Sequence, residues 1–212
     1  MTTWKDDYLA MVRNRVFCLG ILVVGLSFLL GYTFILDPAD FTISMIGLEH
    51  PWLFRLWGLT AAFVAVLNNC YMMRRYDFQS KFFPIAMVVG CIGIALTTNI
   101  PTTEDWGLQL VAHWGTAIVF GVCMILPASL LLLRGALKQK SRLALIVLIA
   151  LVPISLGMLT WLIIDKGGIA QQVIIVAAMG ALAALNFTNL FKDLLPEHAR
   201  PAPSEKQEAI VG

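Results

Sequence analysis

Residues 51–76 read PWLFRLWGLTAAFVAVLNNCYMMRRY. Apart from Arg55, the stretch carries no charge until Arg74-Arg75. That is what crossing a roughly 30 Å hydrocarbon core demands, since a spanning helix needs about 20 predominantly apolar residues. Pro51 suits the first helical position, where the N–H it lacks would have no intrahelical partner. Trp52 and Trp57 lie near one end, as amphipathic rings do at the headgroup level, and the arginine pair marks the other.

The pattern recurs along the chain and predicts spans at residues 16–36, 51–73, 82–98, 108–133, 143–164 and 170–191. The 212 residues are 59% hydrophobic and 13% charged, with mean hydropathy +0.81. Soluble domains are about 45–50% apolar and about 25% charged. A transmembrane β-barrel would show alternating segments of about ten residues, whereas these runs are continuous and longer. Lipid offers the backbone no hydrogen bonds, so a helical bundle is the remaining spanning solution. The expected fold is all-α: a polytopic membrane protein built as a six-transmembrane-helix bundle.

The expected organisation is a cytoplasmic N-terminal segment (1–15), a transmembrane domain (16–194) and a disordered cytoplasmic tail (195–212). The leading MTTWKDDYLAMVRNR lacks a small-residue cleavage site after a short apolar core and reads as a retained signal anchor. The tail is rich in Pro, Glu, Lys and Ala and has almost no apolar cluster.

Orientation follows from basic residues. Thirteen of the fifteen Lys and Arg fall on the side holding both termini, and only Arg55 and Lys166 on the other. The positive-inside rule therefore places both termini in the cytoplasm; the expected setting is a plasma (inner) membrane. The acidic residues divide almost evenly, which leaves the outer face net acidic and the inner face basic. Such a basic rim sets topology and also attracts anionic headgroups, at about 1 kcal/mol per Lys or Arg near the surface.

No acid or base lies near the middle of any predicted span, which counts against proton pumps, cation-coupled carriers and voltage sensors. One outer group of residues has the composition of a site. Glu49 and His50 precede the second span and Arg55 stands one turn into it. Glu104 and Asp105 precede the fourth, and His113 stands one turn inside. If the two helices are neighbours, Arg55 can hold an anionic headgroup, or a carboxylate can polarise His113 for acid/base work. The same residues also read more plainly. Glu104 and Asp105 offset a helix N-terminus, Thr102 and Thr103 cap it, and His113 bonds a loop carbonyl.

Named chemistries find little support. A membrane haem needs two facing axial ligands, and only His113 lies near a span. No three-ligand zinc pattern, nucleophile elbow or P-loop is present, so no catalytic residue, metal or cofactor is assigned. The four cysteines fall inside spans and read as small packing residues. Asn68, Asn69, Gln171, Gln172 and Asn186 read as interhelical hydrogen-bonding amides or as a polar ligand site. Gly20, Gly25, Gly90, Gly93, Gly115 and Gly121 are expected to admit close helix approach. Trp52, Trp57, Trp106, Trp114 and Trp161 form an expected outer aromatic belt. The two halves show no convincing repeat and no paired broken helices, so an inverted-repeat carrier is unsupported.

The stretch at 51–76, followed by GCIGIALTTNIPTTEDWGLQLVAHWGTAIVFG at 90–121, resembles the Frag/DRAM/Sfk six-helix membrane family and a similar bacterial six-helix domain of unknown function. The likeness covers roughly the second to fourth spans. It implies that His113 is the family's fourth-helix histidine and Arg75-Tyr76 its cytoplasmic loop signature. It also implies a role in membrane-lipid organisation rather than a defined reaction.

The expectation is thus an integral membrane protein acting without catalysis, handling or sensing lipid or scaffolding a membrane complex. Its expected partners are membrane lipids and other membrane proteins, not nucleic acid. The alternative is an intramembrane enzyme or small-solute transporter built on the outer Arg/His/carboxylate cluster.

Overall fold

The computed structural model describes residues 12–36, 41–103, 107–165 and 168–199. Among them the only regular structure is helical. The elements are α1 (Arg15–Tyr32), α2 (Ile43–Glu49), α3 (Pro51–Arg75), α4 (Phe82–Asn99), α5 (Leu108–Lys138), α6 (Arg142–Asp165) and α7 (Gly168–Phe187). Two 3₁₀ turns follow, Lys192–Leu194 and Glu197–Ala199.

Among the described residues, four helices, α1, α3, α4 and α5, are long and apolar enough to cross a membrane. At about 1.5 Å per residue, even the 18-residue α1 reaches about 27 Å. Shorter apolar stretches, Arg142–Leu151 and Gln171–Phe187, lie within α6 and α7. The outward surfaces carry Val24, Leu59, Ile85, Val111 and Ile149, each more than half exposed. Apolar exposure on this scale suits lipid, because soluble monomers seldom show contiguous apolar patches beyond a few hundred Å².

The helix boundaries follow local chemistry. The Asn14 side chain caps α1 by accepting from Phe17 N at 3.0 Å. Thr42 caps α2 in the same way, through Met45 N at 3.3 Å. His50 separates α2 from α3, and Pro51 takes the first position of α3. The first span ends at Tyr32, earlier than expected, and part of the loop beyond it folds as α2. The fourth runs on to Lys138, past the expected 133, because LRGALK continues its helical hydrogen bonding. Helix α5 starts at Leu108 with Gly107 as its N-cap, so the cap position falls to neither Thr102 nor Thr103.

Helix α3 is the hub, packing against α1, α2, α4, α5 and α7, while α6 touches α5 and α7. It is the least apolar of the four long helices and the most enclosed. Gly58, Ala61, Ala62 and Ala65 are buried along it, and small residues let neighbouring backbones approach. The interior has two main layers. One holds Leu29, Tyr32, Ile46, Phe54, Trp57 and Ile94, and the other Met72, Tyr76, Met124, Leu131, Leu185 and Leu194.

The longest packed seam joins α4 to α5. A Cβ added at Gly93 would lie 2.9 Å from the Thr116 carbonyl oxygen and 3.2 Å from Phe120 N, both backbone atoms that cannot swing aside. Gly25 and Gly90 also meet neighbouring side chains, whereas Gly20, Gly115 and Gly121 meet nothing within 4 Å. Only half of the predicted small-residue contacts are therefore helix contacts. Gly93→Ala should lower detergent-solubilised stability by about 1–3 kcal/mol through overpacking. Gly121→Ala should stay within about 0.5 kcal/mol of the parent, and thermal unfolding of the pair tests the contrast.

Candidate functional site

Helix α7 ends in carbonyls that no further turn can satisfy, as every α-helix does. Here other helices supply the donors. The Tyr76 hydroxyl donates to Leu185 O at 2.6 Å. The Arg75 guanidinium donates to both Asn186 O and Thr188 O, the second at 2.7 Å. Arg15, from the start of α1, donates to Phe187 O at 2.6 Å. Four consecutive carbonyls are thus held by two arginines and a tyrosine. The positive charge also opposes the negative end of the helix dipole, and charged donors make the stronger hydrogen bonds.

Tyr76 lies just beyond α3, buried at 2% exposure. Burial pushes its phenol up to about 12, with Arg75 pulling the other way. The hydroxyl therefore keeps its proton at neutral pH and stays a donor. Beneath the clamp, Asn186 Nδ2 donates to Asn68 O at 2.9 Å. Asn69 Nδ2 donates to Ala65 O at 3.0 Å and to Met124 O at 3.1 Å. Met124 lies three residues before Pro127, whose missing N–H removes the ladder bond to Cys123 O, the carbonyl next to that of Met124. Asn69 Oδ1 and Asn186 Oδ1 are buried and accept no hydrogen bond from a described residue.

The opposite end uses the same device. His113 is buried at 4% exposure, and its Nδ1 lies 2.7 Å from Ile100 O at the C-cap of α4. A carbonyl accepts only, so Nδ1 carries the proton. Phe54 stacks on the imidazole with centroids 6.4 Å apart, and continues through Trp57 and Tyr32. Trp57 Nε1 donates to Leu29 O near the end of α1 at 3.2 Å. Trp57 is accordingly an interior residue and not part of a lipid-facing belt, whereas Trp52 is 65% exposed. Trp106 lies outside the described residues. Gln171 Oε1 accepts from Ile43 N at 2.7 Å, and Gln172 Nε2 donates to Thr33 Oγ1, tying α7 to α2 and to the end of α1.

Of the outer residues singled out by sequence, Glu49, His50 and Arg55 are exposed, while His113 is buried beneath Phe54. No hydrogen bond or ion pair joins any two of these four among the described residues, and His113 spends its proton on Ile100 O. Glu104 and Asp105 lie outside the described residues. Among the described residues no group of three His, Cys, Asp or Glu is placed to hold a metal ion. Sequence reasoning counted Arg15 as a topology signal, and Arg75 as a topology signal and a loop signature, and missed their contacts with α7. A legible signal was the Arg-Arg-Tyr closing one amide-bearing span, set against the Asn-Phe-Thr-Asn that ends the last.

Compared with known protein families, characterised proteins and solved structures, the chain matches none of them. Its chemistry is therefore read from its own residues. The arrangement locks helices together at both ends and leaves exposed guanidiniums at Arg13 and Arg74 beside the clamp.

Arg75→Gln should cost about 1.5–3 kcal/mol, as loss of charged hydrogen bonds does, and speed hydrogen exchange at the end of α7. Tyr76→Phe should cost about 0.5–1.5 kcal/mol by losing one neutral bond. A phenol raised from its ordinary 10 to about 12 contributes stability that is complete below pH 10 and lost as pH climbs through 12. The parent should therefore lose more stability than Tyr76→Phe between pH 10 and 12, which alkaline denaturation of both proteins measures.

Proposed function

We propose that the chain is a six-span integral membrane protein with both termini cytoplasmic, seated in a prokaryotic plasma (inner) membrane. In this reading α6 and α7 complete the spanning set begun by α1, α3, α4 and α5. It acts without catalysis, by handling or sensing membrane lipid or by scaffolding a membrane complex, and membrane lipids are its principal partners. This agrees with what the resemblance of the second to fourth spans to the Frag/DRAM/Sfk family implies.

One observation carries the reading. The interior side chains best suited to chemistry, His113, Asn69, Asn186, Arg75, Tyr76 and Trp57, spend their donors on backbone carbonyls of neighbouring helices. A general base or an ion-coupling residue must be free to exchange protons or ligands, and these are engaged in holding the bundle together. The charges left over stand at its ends, where bilayer headgroups lie. The basic end suits anionic lipid on the cytoplasmic side.

Two measurements test this. Native mass spectrometry of protein extracted from its own membrane should retain phospholipid, and affinity capture should recover any scaffolded partner. If neither lipid nor partner is retained, the reading falls. His113→Leu, which strips Ile100 O of its donor, should reduce protein abundance in parallel with any cellular phenotype. A lost phenotype at normal abundance would favour the enzyme or transporter alternative. Cysteines introduced at Gln139 and Thr102 of a cysteine-free variant should label from opposite sides, with Gln139 inside.

A further inference from the structure

The α3–α4 connection forms one wall of a cavity of about 590 Å³ at the basic end of the bundle. Arg13 and Arg74 line it, and neither makes a hydrogen bond or ion pair with a described residue. Met73, Phe78 and Phe83 supply an apolar floor, Met73 and Phe78 being buried. The wall is built rather than loose. Asp77 turns the chain through the left-handed region at φ 44, and Phe78 N returns to Met73 O at 2.8 Å. From behind, Arg134 donates to Asp77 O and lies over the Phe78 ring.

The charges around the cavity favour an anion. Helix α4 starts beside it with Lys81 as N-cap and no acid in its first turn, so its positive dipole end is not neutralised by its own side chains. Among the described residues Asp77 is the one acidic residue lining the cavity, against Arg13 and Arg74. Guanidinium pairs bind phosphate oxygens through fixed, directional donors. The source of the phosphate is indicated by what adjoins the floor. Phe82, Ile85 and Val89 continue along α4 as exposed apolar surface, 66%, 61% and 41% accessible, on which acyl chains can lie.

We propose that this cavity holds the phosphate of an anionic phospholipid, with Arg13 and Arg74 on the headgroup and Phe83 under the first acyl carbons. The proposal rests on the lipid-handling reading and gives it a site and a ligand class. Each arginine contributes roughly a fivefold gain in affinity, the equivalent of a basic residue at an anionic surface.

The test uses full-length protein in neutral detergent, titrated with phosphatidylglycerol, phosphatidylcholine or inorganic phosphate and read by native mass spectrometry. Phosphatidylglycerol should bind in preference to phosphatidylcholine. The Arg13→Gln/Arg74→Gln double variant should weaken that binding at least tenfold, and Asp77→Asn should tighten it. Lys138→Gln/Arg142→Gln removes the same charge at the same end but outside the cavity, and should change binding less than twofold. All these residues are exposed, so a melting temperature equal to the parent's verifies the fold of each variant. Equal losses in the two double variants would overturn the site while leaving lipid handling intact. Loss of all lipid binding by the parent would overturn both, and arginine-dependent binding of inorganic phosphate without phosphatidylglycerol would overturn the lipid as source.

Discussion

A carbonyl at the end of a membrane helix has no turn beyond it to donate a proton and little water to substitute. Leaving such a group bare in hydrocarbon costs several kcal/mol. The bundle is arranged around this constraint. Leu185, Asn186, Phe187 and Thr188 present their carbonyls to Tyr76, Arg75 and Arg15, Ile100 presents its own to His113, and Leu29 to Trp57. Each bond joins two elements, so satisfying the backbone also fixes which helices are neighbours.

Helix α3 and the Tyr76 that follows it carry three of these five donor residues, which accounts for an apparent conflict between its composition and its place. A span with two asparagines and three arginines is poorly suited to face lipid, and it is enclosed by its neighbours. There the amides meet other backbones: Asn69 reaches Met124 O before the α5 proline, and Asn68 O receives Asn186. Interhelical hydrogen bonds of this kind average about 0.6 kcal/mol in membranes, so specificity of pairing is their larger contribution.

Much of the architecture was legible because membrane spans are written in long apolar runs. Helix α3 begins at Pro51, α4 at Phe82 and α5 at Leu108, all as expected from the sequence. The short α2 was not, because seven residues ending in Gly-Leu-Glu lack the length for a periodic signal. The site was less legible still. His113 and Arg55 lie one turn inside their helices and look equivalent in sequence, yet one faces Phe54 and a carbonyl and the other faces outward. Which face a residue occupies depends on helix rotation, and weakly amphipathic spans encode rotation poorly. Trp57 misled for the same reason: its position along the helix matched an aromatic belt, but its side faced the interior.

The α7 clamp bears on how the chain is assembled. Arg15 and Arg75 emerge during synthesis long before the carbonyls at 185–188 that they grip, with most of the chain between. Until then the first helices hold guanidiniums whose native acceptors do not yet exist, and those groups remain with water and headgroups at the membrane surface. The last helix is therefore the closing piece of the bundle. A chain interrupted before residue 185 lacks these four carbonyls, so Tyr76, Arg75 and Arg15 are left without the acceptors that join them to α7.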